Sequence, residues 1–228
     1  MKTRAIAVLF ALLIPAAVMA QANFSVNADE MTAGFMNVFN LPEDGSAFQF
    51  ASGWGIADLT AVFDGAGYSN VTLSPNTIGD PNEYWYQCLP GNPGPNCGEP
   101  GAPGNKIMEA NLYGEMTDAL AGQTVTFSGE VLSTTLTGAH VVKAFIRDFA
   151  PDFSSFNESV VVLNSTGLFS ISLAADPGAG RHVQWGFQMT GVNVWSTDVG
   201  AFGTMVIGPD PAVPNETSSW SDLKASYR

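Results

Sequence analysis

Cations are scarce in this chain, and two of them are placed to work together. Lys143 and Arg147 lie four apart in HVVKAFIRDF. The two-residue period of a strand therefore puts both on one face, with Phe145 between them. A guanidinium beside an aromatic ring can hold a sugar or a carboxylate by stacking and paired hydrogen bonds. The plainer alternative pairs these cations with nearby acids such as Asp148 and Asp152, as weak surface ion pairs. A second set lies in HVQWGFQMTGVNVWSTDVGAFGTMVIGP, His182 to Pro209. Val183, Trp185, Phe187 and Met189 alternate there with Gln184, Gly186 and Gln188. The apolar set faces the core, so Gln184 and Gln188 point outward as hydrogen-bonding amides beside a glycine that leaves a ligand room.

Trp54, Trp85 and Trp195 adjoin turns or loops and are candidate stacking platforms, although tryptophan more often packs in a core. Trp85, in Tyr84-Trp85-Tyr86, has the most loop-like surroundings. Asp80 in IGDPNE and Asp198 in STDVG are the turn acids best placed for calcium, which takes oxygen ligands; simple solvated acids are the other reading. His140 and His182 are the only histidines, and neither lies in a nucleophile-elbow or zinc-protease motif. A carboxylate pair for glycoside cleavage would have to be assembled by the fold from distant positions.

The elements that must position these residues are strands. Apolar and polar residues alternate in Gln123–Leu132, His140–Phe149, Ser159–Leu163 and Leu168–Leu173, separated by short turn-rich stretches. Gly129 reads as a bulge and Thr190-Gly191 as the turn of a hairpin. Earlier, Asn23–Asn40 reads as a first strand, with a brief helix candidate at Ala28–Gly34. Ser46–Phe50, Leu59–Phe63 and Tyr68–Leu73 follow. The expected fold is all-β: one antiparallel sandwich of jelly-roll type.

Residues 1–22 have the layout of a secretory signal peptide, with Lys2 and Arg4 before an apolar run and small residues at Ala20 and Ala22. Residues 23–208 form the sandwich, interrupted at 75–106 by a Pro/Gly-rich loop. Cys88 and Cys97 bracket LPGNPGPN in that loop and read as a local disulfide in an oxidising compartment, free thiols being the alternative. Residues 209–228 are a proline-rich linker and an aromatic-basic tail, read either as a frayed terminus or as a docking signal. Losing Lys2 and Arg4 takes the eight Lys and Arg to six, against 21 Asp and Glu, a formal charge of −15. Such acidity argues against nucleic acid and anionic membranes as partners. No segment after the first reads as a membrane span.

The succession LAGQTVTFSGEV, AFIRDFAPDFS, GLFSISLAADPG and HVQWGFQMTGVNVWSTDVGAFGTMVI resembles the second half of jelly-roll carbohydrate-binding modules of the galactose-binding-like fold. It is also similar to exported bacterial surface proteins. The resemblance spans about Ile107 to Gly208. It implies glycan binding near Arg147, Gln184 and Trp195, and a structural calcium at Asp198. The disulfide-pinned insertion and the lack of an attached catalytic domain depart from it. The expected function is non-catalytic binding of a polysaccharide or cell-surface glycan outside the cell or at its surface, with the periplasm as another location. The alternatives are a self-associating matrix or surface protein and, behind it, a polysaccharide-cleaving enzyme.

Overall fold

A computed structural model describes residues 20–77, 83–86 and 103–213. Asp80, Cys88, Cys97, most of the leader and the tail from 214 lie outside the described residues, and the disulfide expectation with them. Twelve strands form among the described residues: β1 (Gln21–Phe24), β2 (Ala33–Asn40), β3 (Phe48–Gly53), β4 (Ala61–Phe63), β5 (Val71–Leu73), β6 (Lys106–Thr117), β7 (Thr124–Thr134), β8 (His140–Phe149), β9 (Phe156–Leu163), β10 (Gly167–Ala174), β11 (His182–Val192) and β12 (Met205–Pro209). One short helix, α1 (Val199–Phe202), precedes the last strand.

The strands make two sheets. In the first, β7 is flanked by β10 on one side and by β1 and β12 on the other, and β5 and β4 continue beyond β12. The second has the order β3-β2-β6-β11-β8-β9. Every strand pair is antiparallel except β1 with β7, which run parallel. The all-β, two-sheet expectation holds, and the purely antiparallel one does not.

Period-2 alternation builds the core. Val183, Trp185, Phe187 and Met189 of β11 are buried, as are Met108, Ala110 and Leu112 of β6 and Val142, Ala144 and Ile146 of β8. Opposite them, Val125 and Phe127 of β7 and Met205 and Ile207 of β12 close the interior. Phe24 stacks on Trp185 with centroids 3.7 Å apart, so the short parallel strand β1 is fastened to the centre of the facing sheet. At one end, the fully buried Asp148 accepts hydrogen bonds from Arg181 Nε at 2.8 Å and Asp176 N at 2.7 Å. This clamp joins β8 to the segment that leads into β11.

Three local expectations fail for identifiable reasons. Asn23–Asn40 is two strands because Asn27 folds the chain back, its side-chain oxygen accepting from Asp29 N at 3.0 Å; the same turn replaces the expected helix. Thr190-Gly191 is not a turn. β11 runs through it, paired with Met108 and His140, because a missing Cβ at Gly191 admits the His140 ring, which a Cβ would meet at 2.2 Å. Gly129 causes no bulge; the register shift lies between Val206 and Ile207 of β12.

His140 is buried, bonds Val192 O through Nε2 at 2.9 Å and has no carboxylate partner among the described residues. Burial lowers its pKa from the ordinary 6.5, outweighing the raising effect of the Val192 bond. The unfolded chain therefore binds the proton more readily than the folded one. Stability from this residue is complete above pH 6.5 and is lost progressively as pH falls below that value and through the lower folded-state pKa. Thermal melts of the parent and of His140→Gln, compared between neutral and mildly acidic pH, should show a smaller acid-induced drop in Tm for the variant.

Candidate functional site

The two faces of β11 have separate jobs. Residues paired directly across strands point to the same side of a sheet, so register alone maps the outer face of the second sheet. Phe35, Asn111, Gln188 and Lys143 form one row across it; Glu115, Gln184, Arg147 and Glu158 form another. This face is hollowed into a cleft of about 590 Å³. Its lining includes Asn111, Gln184, Gln188 and Arg147 on the floor, Phe149, Phe153 and Phe156 at one wall, and Phe35 and Tyr113 across from them.

Hydrogen bonding fixes the floor. Asn111 Nδ2 donates to the backbone carbonyls of Phe35 at 3.2 Å and Glu109 at 2.9 Å. Its Oδ1 accepts from Arg147 Nη1 at 2.9 Å and from Gln188 Nε2 at 3.0 Å. Gln184 Nε2 donates to Glu115 Oε2 at 2.7 Å. Carbonyl and carboxylate oxygens only accept, so both glutamines must turn their NH₂ groups toward these neighbours. The amide oxygens of Gln184 and Gln188 are left without a protein partner among the described residues, although each residue is over nine-tenths buried.

The walls come from the β8–β9 hairpin. Phe149 lies 4.9 Å from Phe156 and 5.5 Å from Phe153, and Phe153 stacks on His182 at 4.2 Å. Phe153 has φ +57°, a left-handed conformation that costs a non-glycine residue energy. Asp152 holds the turn in place, its Oδ1 accepting from Ser154 N at 3.1 Å and Ser154 Oγ at 2.6 Å. Phe153 and Phe156 are each about half exposed, at 50% and 48%. The Arg147 guanidinium lies 4.0 Å from the centre of the Phe145 ring and pairs with Glu158 at 3.3 Å.

Electrostatically the cleft is acidic. Glu109 and Glu115 line it, and the one guanidinium is already matched by Glu158. Burial, reinforced by the nearby Glu115 charge, pushes the Tyr113 hydroxyl above its ordinary pKa, so it stays a neutral donor. The acids are spread out. Glu109 and Glu115 are six residues apart on one strand, about 20 Å, and Glu115 and Glu158 are three strand spacings apart, about 14 Å. Paired-carboxylate glycoside cleavage needs roughly 5–10 Å.

Of the residues singled out from sequence, Arg147, Gln184 and Gln188 come together here. Lys143 lies on the same face beside Gln188, half-buried, but does not line the cleft. Trp85, expected in an exposed loop, is 8% exposed and packs against Phe50 and Trp54, so it is core. Trp195 is half-buried, edge-on to Tyr86, and is likewise no platform in this cleft. Asp198 is exposed at the start of α1, where its carboxylate accepts from Thr197 Oγ1; no three His, Cys, Asp or Glu side chains gather among the described residues. Phe149, Phe153, Phe156, Asn111 and Tyr113 were not anticipated. Glu109, Asn111, Tyr113 and Glu115 nevertheless alternate with Met108, Ala110, Leu112 and Gly114 in the sequence, which is the signal that finds them.

Gly186 also has a different role from the one expected. A Cβ there would lie 2.1 Å from Leu112 O and 2.8 Å from Tyr113 Cα, so the glycine admits the neighbouring backbone rather than a ligand. Gly186→Ala should destabilise the fold by about 3 kcal/mol in denaturant titration, an overpacking cost. Compared with known proteins, the chain matches no family model, no curated protein and no solved structure.

Proposed function

We propose that the chain is an exported, non-catalytic β-sandwich of jelly-roll type that binds a glycan in the cleft of its second sheet. One observation carries the reading: the cleft joins exposed aromatic rings to a rigid polar floor. A sugar ring has apolar C–H faces and a rim of hydroxyls. Phe153 and Phe156 offer surfaces for the faces, while the free oxygens of Gln184 and Gln188 and the Tyr113 hydroxyl offer partners for the rim. The volume falls within the usual range for small-ligand sites.

The chain crosses between the sheets at every connection from β5 to β12 except β8–β9, which supports the jelly-roll reading and with it the likeness to carbohydrate-binding modules. Export fits the start of the fold. β1 begins at Gln21, so a cut after Ala20 spares the strand and gives up only the bond from Thr124 N to Ala20 O, whereas one after Ala22 halves the strand. A calcium ion at Asp198 would act only as a staple: α1 packs Phe202 on His140, at the opposite end of β8 from Phe149.

A second reading, self-association at the cell exterior, is favoured by the edge strand β9. There Val160 and Val162 are exposed at 43% and 49%, and such edges are prone to pair with other chains.

Two measurements test these readings. Isothermal titration against a panel of neutral and charged oligosaccharides should detect binding that Arg147→Ala and Phe156→Ala each weaken by about tenfold. Absence of any binding, with concentration-dependent assembly in size-exclusion runs, would favour self-association. Mass spectrometry of the secreted protein should find Gln21 as its first residue.

A further inference from the structure

Charge and hydrogen-bond polarity in the cleft both point to a narrower class of ligand. The floor is anchored on two backbone carbonyls, and each amide passes that polarity on: Asn111 must present its oxygen to Arg147 and Gln188, and Gln188 must then present its own oxygen outward. Gln184, anchored on the Glu115 carboxylate, ends the same way. The cleft thus offers mainly acceptors and asks for a ligand rich in donors. Its charges agree. Arg147 is paired with Glu158, which leaves Glu109 and Glu115 without a matching Lys or Arg among the described residues. Glu109 accepts from Asn37 Nδ2 through Oε2 at 3.2 Å, and Glu115 accepts from Gln184 and stands 3.5 Å from His182 Nδ1. The aromatic wall adds ring faces that attract cations as well as C–H groups.

We propose that the cleft takes a sugar chain bearing protonated amino groups, with Glu109 and Glu115 receiving ammonium ions and Phe149, Phe153 and Phe156 holding the ring faces. This rests on the reading of the cleft as a glycan site and goes beyond it in naming the sugar class. The separation of about 20 Å between the two acids calls for a chain rather than a single ring. An N-acetylated sugar keeps the ring faces and most hydroxyls but carries no charge, which makes it the informative comparison.

The test is isothermal titration of the folded secreted protein with a glucosamine oligomer and an N-acetylglucosamine oligomer of equal length, in a buffer that keeps the amines protonated. Neutral glucose oligomers serve as a third probe. The glucosamine oligomer should bind at least about tenfold more tightly than either, and added salt should narrow the gap. Glu109→Gln with Glu115→Gln should bring the ratio toward unity. Glu130→Gln, on the other sheet, should leave the ratio unchanged and controls for net charge; thermal melts verify folding of each variant. Equal or tighter binding of a neutral oligomer overturns the inference and leaves glycan binding standing. Failure of every oligosaccharide to bind overturns both.

Discussion

The structure depends on β11 being hydrogen-bonded along both edges. Ten of its residues pair with β8 and all eleven with β6, so no part of the strand can shift without breaking two ladders. A strand held this way has no freedom to choose which side chains face inward. Trp185 and Phe187 enter the core because Gln184 and Gln188 leave it, and the cleft floor is the reverse side of the packing that makes the fold stable. The Asn111 network extends the constraint sideways, since its acceptors are backbone carbonyls of β2 and β6.

Rigid and strained parts divide the site. Its floor lies on three central strands, whereas its wall is a hairpin turn in which Phe153 adopts a left-handed backbone conformation. The floor sets polarity. The wall contributes most of the exposed apolar surface, and the stack of Phe153 on His182 ties it back to the start of β11. That stack, the Asp152–Ser154 bonds and the Asp148–Arg181 clamp all lie near one end of β8, the same end of the sandwich that carries the aromatic rings.

What the sequence shows plainly is whatever follows from period 2. The core face of β11 was legible, and so was the shared face of Arg147, Gln184 and Gln188. Where single residues had to be interpreted, the sequence was ambiguous. Glycine is the clearest case: Gly186, Gly191 and Gly129 suit a ligand gap, a turn and a bulge equally well on paper, yet all three instead admit a neighbouring backbone or ring. Trp85 misleads for the opposite reason. Its surroundings in sequence are loop-like, but the indole is buried against Phe50 and Trp54. Phe153 and Phe156 carry no periodic signal, because one lies in a turn and the other opens a strand, and only the hairpin brings them to the wall of the cleft.

The double pairing of β11 also bears on how this surface can diverge. Inserting or deleting one residue within the strand would send Trp185 into the cleft and Gln184 into the interior, so length changes there are lethal to both faces at once. The β8–β9 turn has no such partner on its outer side. The cleft can therefore change shape and polarity by exchange of glutamine and asparagine side chains on an unchanged floor, or by lengthening and rebuilding of the aromatic turn. The lineage of such a protein would show a strand of fixed length facing a hairpin of varied length.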